Sequence, residues 1–254
     1  MSNVRWTADE LKLAFYLYCQ LPFGRLHKGN PDIIDLATRL GRTPSSIAMK
    51  LVNFASLDPA ITNTGRKGLS GASKLDRVIW DQFQNDWQSL VDECSALLTT
   101  SEHAVPTAHP NIAEDPADYV GETREAQVRI RIRQSFFRKA VLASYKAKCC
   151  MSGLSEPRLL LASHIVPWSV DKANRLNPAN GLCLSALHDR AFDQGLIALS
   201  DEFTVMVSDQ LKTRADSFAR SALVGIEGSE IVLPERFVPD GGLVRWHREN
   251  VFLG

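Results

Sequence analysis

Residues 163–193 read SHIVPWSVDKANRLNPANGLCLSALHDRAFD. Just upstream, Leu159–Ala162 is an apolar run that follows Pro157, which predicts a short buried strand. His164 stands at its end, where a side chain can face a cleft. Pro167 stops regular pairing. Asn177-Pro178 and Asn180-Gly181 are turn dipeptides. Gly181–Ser185 reads as a second short strand, and Ala186–Phe192 as a helix with Ser185 as its N-cap. The order is strand, loop, strand, helix.

The polar residues of this stretch suit hydrolysis. A neutral imidazole at His164 takes a proton from water near neutral pH. Asn180, sixteen residues on, is placed to hold the loop and orient that imidazole. His188, Asp189 and Asp193 are candidate metal ligands, and the two carboxylates, four residues apart, share a helix face. Carboxylates suit Mg²⁺ or Mn²⁺; an imidazole widens the choice to Zn²⁺ or Ni²⁺.

The segments ASHIVPW, NGLCLSALHD and AFDQGLI, with the turn Cys150-Met-Ser-Gly153 before them, resemble the HNH endonucleases. The likeness runs from Arg133 to Gly195, with a further match in the tail at LVRWHRE. It implies a ββα-metal finger in which His164, Asn180 and His188 are the catalytic His, Asn and His. A single divalent ion would stabilise the leaving 3′-oxygen as a water activated by His164 attacks DNA. One position departs from the pattern. The residue before the general base is often a metal ligand in this family, and here it is Ser163.

Composition sets the surroundings. The chain has 254 residues, 44% hydrophobic and 23% charged, enough for one large or two modest soluble domains. No apolar run approaches the ~18 residues of a membrane span, and MSNVRWTADE lacks a signal-peptide core. Five cysteines without regular spacing fit a reducing cytoplasm. There is no C-x-x-C, so Cys149, Cys150 and Cys183 read as small core residues.

The net charge is zero, but its distribution is uneven. Residues 101–122 hold five acids, three prolines and no Lys or Arg, as a linker would. Residues 124–148 carry five Arg and three Lys against one Glu. Phe136, Phe137, Val141, Leu142 and Tyr145 have the spacing of a helix packed on the core, which leaves Arg133, Arg138 and Lys139 as candidate phosphate contacts. The part QSFFR resembles the helix that precedes many HNH cores.

The first hundred residues read as a helical module. Thr7 and Glu10 form a capping box ahead of an amphipathic run. Ile33–Leu40, a turn through Gly41-Arg42-Thr43, and the helix PSSIAMKLVNF resemble a helix-turn-helix, with Ser45, Ser46, Met49 and Lys50 facing outward toward DNA. Leu75–Leu98 reads as one long amphipathic helix. Downstream, Gly195–Ser208 predicts a hairpin turning at Ser200-Asp201-Glu202, and the tail a helix docked through Leu243, Trp246 and Val251.

The expectation is an α+β chain: a helix-turn-helix-like domain at 1–100, a linker at 101–122 and an HNH ββα-metal nuclease domain at 123–254. The partner is double-stranded DNA, the acting species a homodimer, and the setting restriction or defence in the cytoplasm. The alternatives are a DNA-binding regulator with an inactive HNH fold, and a nicking enzyme or RNase.

Overall fold

The computed structural model describes residues 5–65, 71–84, 86–100 and 124–254. The linker expected at 101–122 lies outside the described residues.

Helix α1 (Ala8–Cys19) opens with the capping box predicted at Thr7 and Glu10. The Glu10 carboxylate also accepts from Arg42 Nε at 2.6 Å and Nη2 at 2.8 Å. The start of α1 is thereby tied to the turn between α2 (Pro31–Arg39, capped by Asn30) and α3 (Pro44–Ala55, capped by Thr43). Gly41 ends α2 at φ 61°, a left-handed conformation that glycine adopts without strain.

Two sequence expectations are corrected in this half. Lys50 does not face outward. It is buried, and its Nζ donates to both oxygens of the buried Asp76 at 2.9 Å. Ser45 and Met49 are exposed on α3 and Ser46 is half-buried. The long helix expected over 75–98 is two helices, α5 (Lys74–Phe83) and α6 (Trp87–Thr100), which follow the single turn α4 (Pro59–Thr62). Asp86 explains the break: its Oδ1 accepts the Ser89 N–H at 3.1 Å and starts a new helix.

Helix α7 (Arg124–Ser144) leads into the second half. Strands β1 (Leu160–His164) and β2 (Gly181–Ser185) pair antiparallel, Leu160 opposite Ser185 and His164 opposite Gly181. Helix α8 (Ala186–Asp193) follows directly, with Ser185 as its N-cap. The expected ββα unit is therefore present. Phe137 and Val141 of α7 are buried against it. A Cβ on Gly181 would collide with Val141 and come within 2.9 Å of Phe137, so only glycine lets α7 approach this closely.

The hairpin of β3 (Ile197–Leu199) and β4 (Val205–Val207) follows as predicted, then the short helices α9 (Asp209–Arg214) and α10 (Ser217–Ala222), and α11 (Gly241–Asn250). On α11, His247 stacks on Phe192 at 3.6 Å and its Nε2 donates to Phe192 O, while Arg248 donates to Leu199 O and Asp201.

The helices of the first half pack against the second. Tyr16 stacks on Phe136 at 5.0 Å, and Arg133 forms a two-pronged pair with Asp92 on α6. Residues 234–240 form a strap between the halves. Arg236 is fully buried among the N-terminal helices, where it donates to Tyr18 O and Leu21 O. At its end, Asp240 N donates to Ala179 O at 3.0 Å. Among the described residues no helix is long and apolar enough to cross a membrane.

Candidate active site

The loop between β1 and β2 is closed by Asn180. Its side chain is fully buried, with Oδ1 accepting from Val166 N at 2.8 Å and Nδ2 donating to Val166 O at 3.1 Å. Its main-chain carbonyl accepts from Ile165 N at 2.9 Å. The two residues after His164 are thus clamped, and with them the end of β1.

His164 is held on three sides. Its ring stacks on Phe137 of α7 at 3.8 Å, with planes 6° apart, and meets the edge of Trp168 at 5.6 Å. Its Nε2 lies 3.0 Å from Arg175 O. A carbonyl can only accept, so Nε2 carries the proton and Nδ1 the lone pair. Burial pushes this imidazole down to about 4, with the hydrogen bond to Arg175 O only partly offsetting it. The ring is therefore neutral at neutral pH. Arg175 is itself pinned by its Nε–H to Trp168 O at 2.6 Å.

Side chains alternate along a strand, so Ser163 points away from His164. It is buried toward α8, beside Asp189. Its hydroxyl is near enough to favour the ionised carboxylate but is not aligned in a formed hydrogen bond. Burial still outweighs this and the nearby Arg190, and raises the Asp189 carboxyl above its usual range.

His188 is also buried, with Nδ1 2.6 Å from Ser185 Oγ and Nε2 without a hydrogen-bond partner. Cys149 lies against it. Burial pushes the Cys149 thiol up, but His188, Ser152 and the backbone N–H groups of Ser152 and Met151 outweigh it and hold the thiol at about 6. Cys149 is at the same time a buried residue of the core, as its reading from the sequence has it. Cys150 and Cys183 are buried, and burial drives both thiols up.

Of the three expected metal ligands, Asp193 is exposed on the last turn of α8. Among the described residues no three His, Cys, Asp or Glu side chains gather as a metal cage. His188, whose Nε2 is without a hydrogen-bond partner, and the half-buried Asp189 are neighbours on α8 that do not share a helix face, so each fits at most an ion with few protein ligands. Mg²⁺ commonly keeps several waters and substrate phosphate oxygens in this way.

Of the expected phosphate contacts, Lys139 is exposed, Arg138 donates to Pro157 O at 3.4 Å, and Arg133 is engaged with Asp92. Sequence reasoning did not identify Trp168 and Arg175 as the walls of the His164 site, or Cys149 as a neighbour of His188. Trp168, four residues beyond His164, was the available clue.

The site is thus a ββα unit whose loop is clamped by Asn180, with His164 at the end of its first strand. Residues 149–200 match the model of the HNH endonuclease family. No curated protein matches the chain.

Proposed function

We propose that the chain is a metal-dependent HNH endonuclease that hydrolyses phosphodiester bonds of double-stranded DNA. The observation that carries this reading is the clamp of Asn180 on Val166, which fixes the neutral His164 ring at the end of β1. His164 Nδ1 takes the proton from the attacking water. The stack on Phe137 and the bond to Arg175 O keep the ring from turning. His188 and Asp189 would hold a divalent ion, most simply Mg²⁺ or Mn²⁺, with Zn²⁺ or Ni²⁺ as further candidates. When bound, that ion supplies positive charge for the scissile phosphate and the leaving oxygen. Lys139 and Arg138 lie on or beside the face of α7 that would meet the backbone, and Ser45 and Ser46 stand at the start of α3, the candidate recognition helix.

In this reading the N-terminal helical domain (1–100) positions DNA and the domain at 123–254 cuts it. One site serves one strand, so a double-strand break calls for a homodimer or two sequential nicks. Restriction or defence in the cytoplasm is the setting that follows. An inactive, DNA-binding form is the second reading, and Ser163 in place of a metal ligand is the observation in its favour.

A plasmid nicking assay with each of the four metals and with EDTA tests both. Wild type should nick only with metal, and His164→Ala should lose at least ~10²-fold in rate. Cleavage by His164→Ala close to wild type overturns the mechanism, and no cleavage by wild type with any metal favours the inactive form.

A further inference from the structure

A cavity of about 240 Å³ lies where the strap meets the N-terminal helices. Five aromatic rings line it: Phe15, Tyr18, Trp80, Trp87 and Phe237. Its polar group is the Asp58 carboxylate, with Oδ2 accepting from Tyr18 Oη at 2.7 Å and Oδ1 from Ala60 N at 2.9 Å. Each oxygen keeps a lone pair for a further donor. Gln84 and Pro59, at the edge of the cavity, are exposed.

Two observations narrow the occupant. The guanidinium of buried Arg236 lies 4.4 Å from the Tyr18 ring centroid, and its charge reaches Asp58. The carboxylate is thus compensated, so a cation gains little here, whereas a neutral group that donates a hydrogen bond keeps its full benefit. The second is Phe237, which enters the cavity wall with φ at 56°, a conformation that costs energy for a bulky residue. The backbone is held strained to complete the aromatic wall.

We propose that this cavity receives a nucleobase turned out of the duplex, one whose exocyclic amine donates to Asp58. This rests on the DNA endonuclease reading above. Flipped bases are held by stacking on aromatic side chains and by hydrogen bonds to their polar edge, and this cavity offers both. The strap that supplies Phe237 also reaches Ala179, beside the catalytic-loop Asn180, so the occupied cavity and the cutting site share one segment of chain.

The full chain in EDTA is titrated, by fluorescence anisotropy, with three otherwise identical duplexes. One carries cytosine opposite an abasic position, one thymine there, and one is uninterrupted. Cytosine should bind about tenfold tighter than thymine, which lacks the amine. Trp80→Ala, and Gln84→Trp as a plug that leaves the core intact, should each remove the difference, as should Asp58→Asn. If all three duplexes bind alike, or the difference survives both Trp80→Ala and Gln84→Trp, the inference is overturned while the endonuclease reading stands. If no duplex binds, the DNA reading itself fails and takes the inference with it.

Discussion

Ser185 Oγ lies 2.6 Å from His188 Nδ1 and also accepts the backbone N–H of His188 at 3.3 Å. One hydroxyl thus starts helix α8 and faces the imidazole that follows. When Nδ1–H donates to it, Nε2 is left with a free lone pair, the form in which an imidazole binds a metal.

We therefore expect Ser185→Ala to weaken divalent-metal binding about 10- to 100-fold, and Ser185→Thr, which keeps the hydroxyl, to stay near wild type. Metal titration by calorimetry, without DNA, reads this out. Equal affinities in all three proteins would show that Ser185 only caps the helix.

Lys50 and Asp76 form a buried pair, each left uncompensated if the other is removed. Lys50→Ala should destabilise the fold by about 3–5 kcal/mol, and Lys50→Met by much less if Asp76 takes up a proton. Neither change should alter the salt dependence of DNA binding, because Lys50 reaches no phosphate. A loss of one unit of salt slope in Lys50→Met would return this residue to the DNA interface.

Acid should weaken the fold before it protonates most carboxylates. Burial holds both His164 and His247 at about 4, against about 6.5 in an unfolded chain. Between these values the unfolded chain takes up protons that the folded one does not. Stability contributed by the neutral rings is complete above about pH 6.5 and is lost as pH falls toward about 4. Urea midpoints measured across this window should drop with falling pH, and His247→Phe should flatten the slope. An unchanged slope in that variant would mean that His247 does not titrate as its burial implies.

The ββα unit was legible because its determinants are local. Turn dipeptides, a capping serine and a strand-length apolar run all lie within a few residues of what they specify. The position of His164 at the end of β1 and the clamp at Asn180 follow from that layout. Lys50 misled because its partner, Asp76, lies 26 residues away and has no local signature. The break between α5 and α6 hid inside a continuous apolar stripe, where the capping Asp86 decides. Cys149 is the core residue that the sequence suggests, but its neighbour His188 is brought to it only by the tertiary fold.

Arg236 carries a consequence for the order of events during synthesis. Its hydrogen bonds to Tyr18 O and Leu21 O span 218 and 215 residues. The first helices therefore emerge long before the side chain that satisfies their carbonyls and fills their centre. Until then this part of the core is open, with aromatic surface exposed to chaperones or to wrong partners. A ribosome that stalls before residue 236 would release a chain holding the whole nuclease finger but lacking the bolt that joins it to the first helices. Docking of the finger on the first helices therefore waits until residue 236 has been made.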